Sequence, residues 1–434
     1  MPFDTDLLHR LKRHAQTTAS LGTLATKFLW HKDDDASKAR ALTETLGGLK
    51  GPLMKVGQIL STIPDMLPSD YVEALSSLQS KAPPMGWLFV KRRLKAELGD
   101  GWESCFGSFE KEARHAASLG QVHKAMDLQG KDLAVKIQYP DMSSVIEADL
   151  QQLKLLLKVY EQSQKSIKTE EVFDEIATHL RQELDYCREA RFLQSFKELL
   201  KDQPFVVVPT VDTASSTQHL LTMEWVEGYP LTHFEEADES TRNHLAKTLF
   251  MAWYTPLYTA GLLHGDPHLG NYTATPDGQK INLLDFGCVR IFEPSFVEGI
   301  LILYDALKHK NQKKAAEAYE LWGFQNLSFE LIETLNLWAT YLYDPLLDDQ
   351  VRFIHPELNS QEGQRIAKVI HEKLKALGGA TPPRTFVFMD RVAVGLGSVF
   401  LRLKARLNWH DLFQELTQNF QKDGFLEHQK KALA

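Results

Sequence analysis

The pattern of apolar and polar positions divides the chain into three stretches. Up to about residue 100, apolar residues recur at three- and four-residue intervals, as in "DLLHRLKRHAQTTASLGTLATKFLW", which predicts helices. Asp35 is placed to cap one helix and Gly47-Gly48 to end it; Ser69 or Asp70 caps another, and Pro83-Pro84 closes the segment. From about residue 102, short alternating runs predict strands, with Gln129-Gly130 as a turn. Met142 to about Lys201 returns to helical spacing, enough for two helices. "FVVVPTVD" and "HLLTMEWVEG" read as strands. From about residue 230 the pattern is helical, except where Pro276-Asp277-Gly278 turns a hairpin inside "NYTATPDGQKINLLDFG". The expected organisation is α+β: a helical extension over 1–100, a strand-rich unit with inserted helices over 101–227, and a mostly helical unit over 228–434.

Composition changes this picture little. The 434 residues are 43% hydrophobic and 24% charged, which allows two or three globular cores. A net charge of −8 gives no basic footprint for nucleic acid. Cys105, Cys187 and Cys288 form no CxxC pair, which suits a reducing compartment and no zinc site. The apolar runs, such as 296–306, are too short and too charged to span a membrane. "MPFDTDLLHRLKRHAQ" lacks the apolar core of a signal peptide, and Asp4 and Asp6 weigh against a transit peptide. These features predict a soluble cytoplasmic protein.

The candidate chemistry lies in two acidic loops. "HGDPHLGN" places Asp266 and Asn271 at the spacing of the kinase Asp-x-x-x-x-Asn pair. There the aspartate orients the attacking group and the asparagine holds a metal ion. "LLDFG" follows, and its Asp285 suits a second Mg²⁺ ligand, since that cation takes hard oxygens. His264 is expected to orient the loop by hydrogen bonding; His268 either touches the metal region or packs the loop. Upstream, Lys136 lies in "DLAVKIQYP", on an expected strand, in the shape of the lysine motif that pairs with nucleotide α- and β-phosphates.

Such a lysine needs a carboxylate behind it. In "LRQELDYCREARFLQSF" a continuous helix puts Asp185 and Glu189 on one face and turns Glu183 largely away. Two carboxylates on one face repel unless a cation lies between them, so Glu189 or Asp185 is expected to meet Lys136. "ARHAASLGQVH" stands where a Gly-rich phosphate loop belongs, but offers Ala116, Ala117 and Ser118 in place of glycines and keeps Gly120. Met223 of "LLTMEWVEG" is placed to guard an adenine pocket, with the backbones of Glu224 and Val226 bonding the adenine edge. Two departures argue against a conventional protein kinase. Gly265 precedes Asp266 where many protein kinases carry arginine, and helical pattern resumes soon after Gly287 with no Ala-Pro-Glu, so a peptide-docking segment is expected to be missing.

Lys55-Val56-Gly57-Gln58 adds a Lys-x-Gly-Gln motif in the extension. With the Ala-rich loop, Glu-x-Asp at Glu183 and Asp185, and the HGDPH loop, the chain resembles the UbiB family of atypical kinases, over about residue 45 to at least 300. The resemblance implies a protein-kinase-like bilobal fold with the extension across the active site. It implies that Lys55, Gly57 and Gln58 form a gate near Glu183 and Asp185, and that Lys136, Glu189, Asp266, Asn271 and Asp285 take kinase roles. It also implies ATP or ADP with Mg²⁺, and partners among isoprenoid lipids, quinone precursors and lipid-biosynthesis enzymes, with peripheral membrane contact. His115 and Leu269 depart from the family's usual alanine and proline, and the C-terminal membrane helices of some members are missing, because "VAVGLGSVFLRLKARLNW" is too short and charged. The leading expectation is a Mg²⁺-dependent ATPase supporting coenzyme Q or related lipid metabolism. The alternatives are a small-molecule phosphotransferase of the aminoglycoside or choline kinase type, which lacks Lys-x-Gly-Gln, and a nucleotide-switched lipid-binding scaffold.

Overall fold

The computed structural model describes residues 85–117, 119–163, 170–354, 373, 383–418 and 420–433. Most of the expected helical extension, including Lys55, Gly57 and Gln58, lies outside the described residues, as does Ser118. The chain divides into two units. The first runs to Tyr186 and takes in Ser215–Thr222; the second comprises Cys187–Ala214 and the chain from Met223 onward.

In the first unit, helix α1 (Trp87–Leu98) buries Val90 and Leu94, one turn apart. They join Trp102, Phe106, Ala125, Leu133, Val135, Ile137 and Leu220 in one core. Strand β1 (Ser108–Phe109), β2 (His115–Ala116), β3 (Gly120–Met126), β4 (Asp132–Gln138) and β6 (Leu220–Glu224) make its sheet, in the order β1-β3-β4-β6 with β2 also on β3. The expected turn at Gln129-Gly130 forms: Gly130 takes φ +89°, and Asp127 Oδ1 accepts from the backbones of Gln129 and Lys131 at 2.8 Å. Strand pairing does not begin at residue 102 as the alternation suggests. Trp102–Cys105 is a 3₁₀ turn, because the Trp102 ring is needed edge-on to Trp87 and Phe109 in the core.

The helical stretch after β4 forms three helices rather than two: α2 (Met142–Ser163), α3 (Glu170–Gln182) and α4 (Tyr186–Leu199). The break at Glu183–Asp185 overturns the helical-face argument for Asp185 and Glu189. The three turn residues donate back to His179, Arg181 and Gln182 carbonyls, Leu184 O is taken by Gln138 Nε2 at 3.0 Å, and Tyr186 N donates to Gln218 O at 3.2 Å. Tertiary hydrogen bonds from β4 and the loop before β6 thus claim the backbone that a continuous helix needs.

The second unit is built around α5 (Glu239–Ala260). Asp238 caps it by accepting from Thr241 N at 3.0 Å, and Gly261 ends it with φ +69°. Strands β5 (Val206–Val207), β7 (Tyr229–Pro230), β9 (Tyr272–Ala274) and β10 (Ile281–Leu283) form a sheet in the order β5-β10-β9-β7. A separate ribbon pairs β8 (Leu262–His264) with β11 (Val289–Ile291). Helices α6 (Pro294–Lys308), α7 (Gln312–Leu321) and α8 (Phe329–Leu347), short strands β12 (Val351–Arg352) and β13 (Leu407–Asn408), and helices α9 (Arg384–Arg402), α10 (Trp409–Thr417) and α11 (Lys422–Leu433) complete it. No described helix is long and apolar enough to cross a membrane.

Candidate active site

The two acidic loops are closed off by strand pairing at both ends. The β8–β11 ribbon sets His264 opposite Val289, and the β9–β10 hairpin sets Tyr272 opposite Leu283. Between these pairs, Gly265 N donates to Cys288 O at 3.0 Å and Leu284 N donates to Asn271 O at 2.9 Å. The loop carrying Asp266 and Asn271 is therefore laced to the loop carrying Asp285. His264 Nε2 bonds the Asp285 carbonyl while its Nδ1 accepts from Asp266 N at 3.3 Å, so one buried imidazole spans both loops. Its own carbonyl accepts from Trp253 Nε1 at 2.9 Å. This is the orienting role expected for His264.

The polar ends of Asp266 and of the two candidate metal ligands, Asn271 and Asp285, are ordered by local bonds. Asp266 Oδ1 accepts from His268 N at 3.2 Å, and Asp285 Oδ1 accepts from Gly287 N at 3.0 Å. Asn271 Nδ2 donates to the Asp266 carbonyl at 3.1 Å, which leaves its Oδ1 as the end offered to a ligand. Carboxylate and amide oxygens are the ligand types a hard divalent cation takes. His268 serves the loop: its Nδ1 accepts from Gly270 N at 3.1 Å. Tyr272 OH donates to Pro267 O at 2.9 Å, and burial, aided by the Asp266 charge, raises its pKa so that it stays a donor.

Phe286 is fully buried, its ring 5.2 Å from that of Phe196 and 5.8 Å from that of His264. Glu189, 2% exposed in the first turn of α4, accepts from Phe286 N at 3.5 Å. Arg188 beside it donates to Gly287 O at 2.9 Å and Val289 O at 2.7 Å. The first turn of α4 thus holds the Asp-Phe-Gly backbone from both sides.

In the first unit, Lys136 is 8% exposed on β4, not on a solvated face, and its Nζ lies 5.1 Å from the Tyr186 ring centroid. Glu183 is buried and Asp185 half-buried in the turn before Tyr186. Ala116 is exposed and pairs with Gln121 as part of β2, so part of the expected phosphate loop is strand. Ala117 N closes the following turn on Gly120 O at 2.9 Å. Gly120 has a packing reason: a Cβ there would stand 2.3 Å from Ile137 O and 3.0 Å from Tyr186 Oη. Met223 is buried. In the second unit, the Glu224 N–H donates to Thr210 O at 2.8 Å, and Val226 is half-buried just beyond β6.

The sequence profile described as "ABC1 atypical kinase-like domain" matches residues 77–319. The chain belongs to this family. Its kinase-like fold and its likeness to the UbiB kinases that support coenzyme Q synthesis follow. It is 28% identical over 383 residues to the yeast (Saccharomyces cerevisiae) "Atypical kinase COQ8, mitochondrial", covering 86% of this chain and 75% of that protein. It is 30% identical over 391 residues to the rat (Rattus norvegicus) "Atypical kinase COQ8B, mitochondrial", covering 87% and 72%. Among solved structures it is similar to one described as the complex structure of Rv3197-erythromycin from Mycobacterium tuberculosis, with a TM-score of 0.61, 28% identity, and 89% of this chain and 95% of that chain covered.

Several residues that shape this atypical kinase site carry no local motif. Phe388, Arg391 and Gly395 of α9 pack on Gly265 and Pro267, on either side of Asp266. Arg188 sits between the singled-out Asp185 and Glu189, yet its bonds reach 99 and 101 residues along the chain. Trp253 reads as one more apolar position of a helix. The one available signal was Gly265 itself, since a glycine in place of arginine asks what occupies the vacated volume.

Proposed function

We propose that this chain is a Mg²⁺-dependent nucleotide-binding atypical kinase that hydrolyses ATP, or transfers its phosphoryl group to a small acceptor, in support of isoprenoid-quinone or related lipid metabolism. In this reading Asp285 and Asn271 Oδ1 hold the metal, which when bound would neutralise charge on the phosphates. Asp266 orients the attacking water or hydroxyl. Lys136 holds the α- and β-phosphates, with Glu189 as its carboxylate. Glu224 and Val226 offer backbone groups to adenine beside Met223. Lys55, Gly57 and Gln58 act as a gate with Glu183 and Asp185, and Ala116, Ala117, Ser118 and Gly120 cover the phosphates with less backbone freedom than glycines allow. The helical extension over 1–100, the strand-rich unit over 101–227 and the helical unit over 228–434 are the proposed functional divisions.

The observation that carries this reading is the lacing of the Asp266–Asn271 loop to the Asp285 loop by His264, Gly265–Cys288 and Leu284–Asn271. Loops so held keep acidic and amide oxygens at a fixed spacing, which supports metal–nucleotide chemistry. A lipid-linked or small acceptor is favoured over a protein because only Cys288–Glu293 separate the Asp-Phe-Gly loop from α6, and β11 within them is paired to β8. That leaves little chain for a peptide-docking platform. Membrane contact, in this reading, is peripheral.

The test is phosphate release from ATP by wild type, Asp266→Ala and Asp285→Asn, with and without liposomes, alongside transfer of labelled γ-phosphate to extracted metabolites. Mg²⁺-dependent release that lipid raises, lost in both variants, is expected. Turnover unchanged in Asp285→Asn rules the reading out. The erythromycin complex of the mycobacterial structure favours a second reading, phosphotransfer to a bulky small molecule; label appearing on a metabolite rather than as free phosphate would select it.

A further inference from the structure

The peptide unit that joins Gly265 to Asp266 is held at both of its polar ends. Its N–H, on Asp266, donates to His264 Nδ1 at 3.3 Å. Its carbonyl, on Gly265, accepts from Arg391 Nη2 at 2.8 Å. The next two carbonyls are also taken by side chains: Asp266 O by Asn271 Nδ2 at 3.1 Å, and Pro267 O by Tyr272 OH at 2.9 Å. Of the three donors, Asn271 and Tyr272 belong to the loop and the strand that follows it. Arg391 comes from α9, 126 residues beyond Gly265.

Three positions of α9, spaced so as to share one helix face, touch this loop. Phe388 lies against Gly265, where a Cβ would stand 2.2 Å from the ring. Arg391 bonds the Gly265 carbonyl. Gly395 admits Pro267, whose Cγ would be 2.5 Å from a Cβ on that glycine. The Phe388 ring is itself set between two guanidinium groups, Arg290 at 4.8 Å and Arg391 at 5.1 Å from its centroid. The residues before and after Asp266 are therefore both seated on a single helix face. Gly265 stands where His-Arg-Asp loops carry an arginine. Here a guanidinium reaches that residue's carbonyl from a distant helix instead.

We propose that Arg391 is a positioning residue of the phosphoryl-transfer site: its charged hydrogen bond to the Gly265 carbonyl fixes the peptide plane that aims the Asp266 carboxylate. Glycine rotates its peptide planes at little steric cost, and the 3.3 Å bond at the N–H end is long, which leaves the plane some freedom to tilt. A charged donor on the carbonyl end removes that freedom. The loop is then set by the fold at all times and needs no modification of a downstream segment to order it. The proposal rests on the reading of Asp266 as the group that orients the nucleophile.

The experiment uses the full chain with Arg391→Ala, which leaves room for a diffusible guanidinium ion, and Arg391→Lys, which keeps one charged donor. ATP turnover, affinity for a fluorescent ADP analogue, and amide exchange of the Leu262–Asn271 peptide are measured for both. Arg391→Ala is expected to lose about tenfold to a hundredfold in kcat, with KM and nucleotide affinity within about twofold. Exchange should quicken at the Gly265, Asp266 and His268 amides, and millimolar guanidinium should restore part of the lost turnover. Arg391→Lys should keep most of the rate. Wild-type kcat with unchanged exchange in Arg391→Ala overturns the proposal. So does a rate loss that neither lysine nor guanidinium recovers and that comes with raised KM and fast exchange throughout α9, the mark of a merely structural brace. If wild type itself turns over no nucleotide, the functional reading fails separately, and exchange at the same amides still decides the positioning claim.

Discussion

Gly265→Ala adds one methyl group beside Asp266, and the surroundings define its cost. An ideal Cβ would lie 2.2 Å from Phe388 Cζ, 2.8 Å from Phe388 Cε2 and 2.4 Å from Cys288 O. Ordinary contact begins near 3.4 Å, so the ring must withdraw by about 1 Å. It has little freedom to do so, because it is 6% exposed, lies between two guanidinium groups and packs 6.1 Å from the Phe292 ring. The Cys288 carbonyl is tied to Gly265 N and cannot retreat alone. Overpacking of this kind costs about 1–3 kcal/mol, and the backbone obstacle puts it near the upper end, about 3 kcal/mol. For a unit of this size that is a fall in Tm of about 6–12 °C. Thermal and urea unfolding of the variant measure it, with ATP turnover in parallel. Phe388→Ala removes the ring but not the carbonyl. The double variant should therefore be less destabilised than the sum of the singles, by about 1–2 kcal/mol. A wild-type midpoint in Gly265→Ala, or strict additivity in the double variant, refutes the close approach of α9 to this loop.

Half-buried Asp390 accepts from Trp338 Nε1 at 2.7 Å, and burial pushes its carboxyl up to about 7. A folded value above the unfolded one, about 3.9, makes its contribution to stability complete at low pH and lost as pH rises through about 7. Urea midpoints should fall between about pH 4 and pH 7 and level off above that, and Asp390→Asn should flatten that slope by on the order of 1 kcal/mol after allowance for solvent contact; a slope unchanged in the variant contradicts the assignment. Trp253→Phe removes the buried hydrogen bond to His264 O, so unfolding free energy should drop by about 0.5–1.5 kcal/mol and turnover with it; an unaltered melting curve would sink this. Gly120→Ala forces a methyl onto Ile137 O, and should destabilise by about 1–3 kcal/mol; normal stability with weakened nucleotide affinity would show that the glycine serves the ligand rather than the hairpin.

What the sequence made legible was what is local. The Gln129-Gly130 turn, the Pro276-Asp277-Gly278 hairpin and the spacing from Asp266 to Asn271 are each written in adjacent residues, and each is present. His264 as the loop's orienting group was also readable, since its neighbours are the two motifs it joins. The break at Glu183–Asp185 was not, because Gln138 Nε2 and Gln218 O, which hold it open, come from other strands and loops. Periodicity sees one helix there; tertiary hydrogen bonds decide otherwise. The α9 face was illegible for the same reason at greater distance. Phe388, Arg391 and Gly395 look like an ordinary half-buried helix until Gly265 and Pro267 are set against them.

The central claim is that the two laced loops form one metal–nucleotide site. It is tested most directly by the affinity of the purified chain for ATP as a function of Mg²⁺, in wild type and in Asp285→Asn. The account predicts that wild-type affinity rises with Mg²⁺ and that Asp285→Asn abolishes this dependence while the unfolding midpoint stays close to that of wild type. Equal affinity with and without Mg²⁺ in wild type, or an unchanged Mg²⁺ dependence in the variant, would contradict it.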